Sequence, residues 1–258
     1  MPSASMDTAR RPLVAGNWKM NGGRQSLNDF QALLSATHDS PCEYVICPPA
    51  TLLMAFESLS RSSQRIHLGA QDLTPLDFGA RTGDINGDML AECGAQYVIL
   101  GHSERRQYHG ETSPLIREKV LHAWKAGLVA LVCVGETLEE RQLGLTKDIL
   151  SLQVKQSVPA TAKVSNTVIV YEPQWSIGSG LIPTNEELHD AFSHLRDVLD
   201  QHLSDSETIR LMYGGSVNSA NASALLTVKG IEGFLVGKSS LNPSEFLQIG
   251  RAFSVANT

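Results

Sequence analysis

The amino-acid sequence predicts an α/β protein, a closed (β/α)8 barrel forming a single domain. Eight short apolar runs recur along the 258 residues, so each unit spans roughly 32 residues, the length of a strand plus its crossover helix. Most runs are separated by amphipathic stretches of helical period, and such alternation gives parallel strands. Eight units close a barrel better than they extend an open sheet. No Pro/Ser-rich linker and no break in composition divides the chain.

The runs are LVAGNW from Leu13, YVICP from Tyr44, IHLGA from Ile66, YVILG from Tyr97, LVALVCVG from Leu128, TVIVYE from Thr167, IRLMYGG from Ile209 and FLVG from Phe234. They are apolar or β-branched at nearly every position, as strands buried on both faces read. Among the helical stretches, SPLIREKVLHAWKAG from Ser113 closes on Gly127, a C-terminal signal. The stretch from Pro183 places Glu187 three residues after Thr184, a capping-box pattern. Between Gln71 and Ile85 the chain reads QDLTPLDFGARTGDI, a connection long enough to expect a function for it. Residues 1–11 are expected to be a flexible extension and residues 12–258 the barrel.

Composition narrows the function. Apolar residues make up 42% and charged residues 19%, enough for a sizeable core. The net charge is −6 and no block of Lys or Arg occurs, which argues against nucleic acid or an anionic membrane as partner. The longest apolar run, LVALVCV, is far short of the ~20 residues of a membrane helix. The start, MPSASMDTARRP, has no apolar segment of a signal peptide. Cys42, Cys47, Cys93 and Cys133 form no C-x-x-C pair, so reduced thiols and a cytoplasmic location are expected.

In a barrel of this kind, reactive residues stand where strands end. The first run ends in Asn17-Trp18-Lys19, the fourth in Gly101-His102-Ser103-Glu104 and the sixth in Glu172. The seventh ends in Gly214-Gly215-Ser216 and the eighth in Gly237-Lys238. An amide, an ammonium, an imidazole and a carboxylate would meet there, facing turns whose backbone N–H groups can cradle an anion. Other chemistries fit less well. A P-loop ending at Gly237-Lys238-Ser239 needs Gly where Glu232 stands, and a dinucleotide fingerprint from Gly178 meets Pro183 at its third Gly. No H-E-x-x-H or tight His/Cys cluster points to zinc.

Several segments carry a resemblance to a known family. Gly16-Asn17-Trp18-Lys19-Met20-Asn21-Gly22, Gly101-His102-Ser103-Glu104-Arg105-Arg106, Cys133-Val134-Gly135-Glu136, Tyr171-Glu172-Pro173 and Tyr213-Gly214-Gly215-Ser216-Val217 closely resemble the triosephosphate isomerases, as does Thr82-Gly83. The likeness runs in order from about Pro12 to the C-terminus. It implies a TIM barrel that interconverts dihydroxyacetone phosphate and glyceraldehyde 3-phosphate through an enediolate, with no cofactor and no metal. By the same resemblance Glu172 is the base, His102 a neutral electrophile, Lys19 a positive charge and Asn17 a substrate contact, with Glu104 a candidate partner for Lys19. Gly178, Ser216, Gly237 and Lys238 would offer N–H groups to the phosphate.

The resemblance also implies a lid, Ser176, Ile177, Gly178, Ser179 and Gly180, hinged at Pro173-Gln174-Trp175 and Leu181-Ile182-Pro183. Closure would bring Ile177 and Leu235 over the carboxylate and exclude water. It further implies a homodimer in which the 71–85 loop docks into a second subunit and Thr82 nears that subunit's site. The sequence departs from the family at Leu181-Ile182-Pro183 in place of Lys-Thr-Ala, and at Ser176 and Ser179 in place of Ala and Thr. It departs again at Gly237-Lys238 in place of Gly-Gly. The last leaves open an isomerase of a four-carbon ketose phosphate on the same barrel. A non-catalytic phosphate-binding barrel is the remaining alternative.

Overall fold

The computed structural model describes residues 11–256 apart from 38–39, 62–65, 205 and 207–208. The expected N-terminal extension therefore lies outside the described residues except for Arg11. Eight strands, β1 (Leu13–Asn17), β2 (Glu43–Cys47), β3 (Ile66–Ala70), β4 (Ala95–Leu100), β5 (Val129–Val134), β6 (Thr167–Tyr171), β7 (Arg210–Tyr213) and β8 (Gly233–Val236), follow the eight apolar runs. They pair in chain order, all parallel, and β8 returns to β1 to close the barrel.

Helices α1 (Ser26–Ala36), α2 (Ala50–Ser60), α3 (Gly87–Glu92), α4 (Ser103–His109) and α5 (Ser113–Lys125) belong to the first half. Helices α6 (Leu138–Gln142), α7 (Thr146–Ser157), α8 (Asn185–His202), α9 (Ala222–Leu225) and α10 (Pro243–Ala256) belong to the second. The expected caps form. Thr184 Oγ1 accepts the Glu187 amide at 3.3 Å while Glu187 Oε2 accepts the Thr184 amide at 2.8 Å, which starts α8. Gly127, at φ 77°, turns the chain out of α5. Among the described residues no helix is long and apolar enough to cross a membrane.

The core has two layers, and strand periodicity separates them. Leu13, Ala15, Val45, Cys47, Ile99, Leu131, Cys133, Val168, Val170, Met212 and Leu235 fill the barrel interior. The alternate positions, Val14, Ile46, Val98, Val132, Ile169, Leu211 and Val236, belong to the layer between strands and helices. Successive strand residues point to opposite faces. The interior series 13, 15 therefore leads to Asn17, the series 168, 170 to Glu172, and the series for β7 and β8 to Gly214 and Gly237. The parity that packs the barrel also delivers polar residues to its mouth.

An aromatic stack supports the first of these strand ends. Phe30 of α1 lies flat on Phe56 of α2 at 4.2 Å between centroids, and Trp18 meets Phe56 edge-on at 5.3 Å. All three rings are buried. Replacing Phe56 by Ala is expected to destabilise the protein by ~3–5 kcal/mol, the usual range for a buried Phe. A chemical-denaturation midpoint lowered accordingly checks this.

Candidate active site

Glu172 follows β6 and is buried at 2% exposure, inside a cavity of about 440 Å³ at the carboxyl ends of the strands. A buried carboxylate needs donors, and this one is half supplied. Its Oε2 accepts the Ser103 amide at 3.3 Å. Among the described residues its Oε1 has no hydrogen-bond donor, although His102 Nε2 lies 3.2 Å away, too poorly aligned to count as one. Gly214 makes the room, since a Cβ there would sit 2.6 Å from Glu172 Cγ. Behind the carboxylate, burial, and then the Glu172 charge, raise the Cys133 thiol pKa well above its usual value.

His102 is the N-cap of α4, and its Nδ1 accepts the Glu104 amide at 3.2 Å. Accepting there leaves the ring neutral, with its proton on Nε2, the atom that faces Glu172. Glu104 lies in the first turn of α4, and its Oε1 also pairs with Lys19 Nζ at 2.6 Å. It is thus both a helix-start carboxylate and the lysine's partner.

Lys19 is the one non-glycine residue with positive φ, 53°, among the described residues. That conformation costs ~1–2 kcal/mol and is kept only where neighbours impose it. Asn17 Oδ1 takes the Lys19 amide at 3.0 Å, and Gln71 Nε2 donates to the Lys19 and Cys47 carbonyls at 2.8 and 2.9 Å. The effect is to aim the ammonium into the cavity that Asn17, Lys19, His102 and Glu172 line together.

The opposite wall is backbone. Gly178, Ser216, Gly237 and Lys238 line the cavity, and their amides donate to no protein acceptor among the described residues. Lys238 has negative φ and starts a short 3-10 turn, so a side chain is accommodated there without strain. Gly215 cannot be larger, because a Cβ would run into the Tyr213 hydroxyl and Ser176 Oγ.

The fold agrees with what the comparisons find. A family model described as triosephosphate isomerase matches residues 12–253. The chain belongs to the triosephosphate isomerase family. It is 45% identical to the triosephosphate isomerase of Bradyrhizobium diazoefficiens over 249 residues, covering 95% of this chain and 99% of that one. It is 46% identical to that of Mesorhizobium japonicum, covering 94% and 96%. The crystal structure of the Bartonella henselae triosephosphate isomerase superposes with a TM-score of 0.89 at 40% identity, covering 95% of this chain and 99% of that one.

The residues expected to form a lid, Ser176 to Gly180, do not share one environment. Ser176 is fully buried in the turn Gln174–Ser176, its carbonyl gripped by Ser216 Oγ at 2.6 Å, so it sits on the hinge side. The exposed arch is Gly178 to Ile182, with Gly178 and Gly180 at positive φ. Ile177 and Leu235 line the cavity, whereas Ser179 and Gly180 do not. Of Leu181-Ile182-Pro183, expected as the second hinge, only Pro183 is buried.

Sequence reasoning left two supports without a role. In the sequence Gln71 only begins the long loop. Glu136, wholly buried after β5, accepts Trp175 Nε1–H at 2.9 Å and the Tyr171 hydroxyl at 3.2 Å. Burial raises its pKa, which these donors oppose. Arg141 covers the Trp175 ring at 4.1 Å and pairs with Glu187. Its position just past a buried strand, like that of Glu172, was the available signal. Replacing Trp175 by Phe removes one donor from this buried carboxylate. The expected cost is ~1–3 kcal/mol, read as a lowered denaturation midpoint.

Proposed function

We infer that the chain interconverts dihydroxyacetone phosphate and glyceraldehyde 3-phosphate by proton transfer through an enediolate. The observation that carries this is the donor-free Glu172 Oε1, buried beside the Nε2 of a neutral His102. A base that must take a proton from carbon has to be close, desolvated and uncommitted. Glu172 removes a proton from C1 and returns it to C2 while the hydroxyl proton on O1 passes to O2, so no atom is gained or lost. The negative charge formed on the oxygens is met by the His102 Nε2–H and the Lys19 ammonium, which are already in place. Asn17 fixes the Lys19 backbone, and Glu104 anchors its ammonium at rest.

The phosphate belongs at the opposite wall. The amides of Ser216, Gly237 and Lys238 are free to receive it, and Gly178 brings a fourth as the lid closes. Because the N–H does this work, a Lys at 238 is compatible with a triose phosphate. Ser103 holds the carboxylate at rest and must release it as substrate binds. Ile177 and Leu235 then shield the carboxylate, and closure protects the enediolate from water.

A homodimer completes the reading. The 71–85 loop carries no strand or helix, and Phe78 is 70% exposed on it. Its base is tied to the barrel, with Lys119 and Arg105 both reaching Asp72 and Glu111. Beside Lys19 lies a cavity of about 770 Å³, and Met20 at its edge is 96% exposed. A second copy's loop fits there, bringing its Thr82 near Asn17 and Lys19. A cytoplasmic location accords with the free thiols.

Replacing Glu172 by Gln keeps the shape and removes the base, and kcat is expected to fall at least ~10²-fold with the fold retained. A coupled assay with both triose phosphates and a tetrulose phosphate measures this, and near-native kcat in the variant contradicts the mechanism. Sedimentation at micromolar protein is expected to show a dimer. A fully active monomer contradicts the shared site.

A further inference from the structure

Arg106 is spent inward, and nothing in the reaction above uses it. It follows Arg105 on α4, whose own guanidinium reaches out to Asp72 and Glu111. The Arg106 guanidinium instead turns back under the strand ends. Its Nε donates to the Gly101 carbonyl at 2.9 Å, its Nη2 to the Cys133 carbonyl at 3.1 Å, and its Nη1 to Ser113 Oγ at 3.1 Å. Among the described residues no carboxylate pairs with it.

A cation largely removed from water without a counter-ion is costly, and such a group persists where its geometry is needed. Burial lowers the Arg106 pKa, while Cys133, Glu172 and Glu111 act in the opposite sense.

The two carbonyls it grips belong to the residues that shape the reacting pair. The Gly101 peptide plane carries the amide of His102, and Gly101 sits at φ 69° so that the chain can turn into α4. A Cβ on Gly101 would stand 3.2 Å from Arg106 Nη2 and 2.6 Å from Ile116, so glycine and arginine fit as one unit. Cys133 ends the interior series of β5 and faces Glu172. The next residue, Val134, accepts the Glu172 amide at 2.8 Å. One planar fork therefore spans the ends of β4 and β5, with His102 on one side and Glu172 on the other.

We propose that Arg106 is a positioning residue for catalysis, a guanidinium clamp on the Gly101 and Cys133 carbonyls that sets the separation of His102 and Glu172. The proposal rests on the isomerase reading of that pair. A lysine keeps the charge, but its three donors leave one nitrogen and lack the planar fork whose separate Nε and Nη2 reach the two carbonyls. Misplacement of catalytic groups by about an ångström costs up to ~10²-fold in rate.

The test compares wild type, Arg106→Lys and Arg106→Ala by circular dichroism and by steady-state kinetics on dihydroxyacetone phosphate. Arg106→Lys is expected to fold and to lose about 10²-fold in kcat, with KM close to that of wild type. In Arg106→Ala, added ethylguanidinium is expected to restore activity and ethylammonium at equal ionic strength is not. A folded Arg106→Lys with near-native kcat overturns the clamp, as does equal rescue by the two cations. Loss of the fold in both variants overturns it too, making Arg106 a structural pin. Loss expressed in KM rather than kcat does the same. An inactive wild type, by contrast, overturns the isomerase reading on which the clamp rests.

Discussion

The rest of the site depends on holding an ionisable carboxylate, Glu172, in a buried position with only one of its oxygens satisfied. Water would supply donors to both oxygens, and the barrel admits it to neither freely. Such a group is unfavourable in the free protein. Its surroundings are arranged to tolerate it. Gly214 gives it space, the Ser103 amide gives it one donor, and the rigid ends of β4, β5 and β6 keep it from turning to solvent. The unmet oxygen is where chemistry can occur, because a proton drawn from substrate satisfies it. His102 and Lys19 are held on the other side of that exchange by bonds of their own, from the Glu104 amide, Asn17 and Gln71.

Much of this was legible in the sequence, and for one physical reason. Strand periodicity fixes which residues face the barrel interior, so TVIVYE places Glu172 at the mouth as surely as it buries Val168 and Val170. The eight runs marked the eight strands, and the Thr184–Glu187 box marked the start of α8. Spacing alone left the functional residues as a set of strand ends. Joining them into one site took the closed topology, which brings Asn17 of the first strand beside Gly237 of the last.

What was not legible depends on contacts between residues distant in the chain. Gln71 reaches back to Lys19 across a loop, and Trp175 finds Glu136 across two strand ends. Neither pairing has a local pattern. The anchoring of Ser176 follows from Ser216, a residue of another turn. Arg105 and Arg106 are adjacent and alike in the sequence, and only the turn of α4 shows that Arg106 points inward while Arg105 points out.

The central claim is that a proton leaves carbon for Glu172 and returns to the neighbouring carbon. It is tested most directly by running the reaction on dihydroxyacetone phosphate in D2O and locating deuterium in the product by NMR. A carboxylic acid formed at Glu172 can exchange with solvent before it delivers its proton, so deuterium is expected at C2 of the glyceraldehyde 3-phosphate. Product and remaining substrate that stay free of carbon-bound deuterium through many forward and reverse turnovers at full rate would indicate a hydride passing directly between the carbons and would contradict the account.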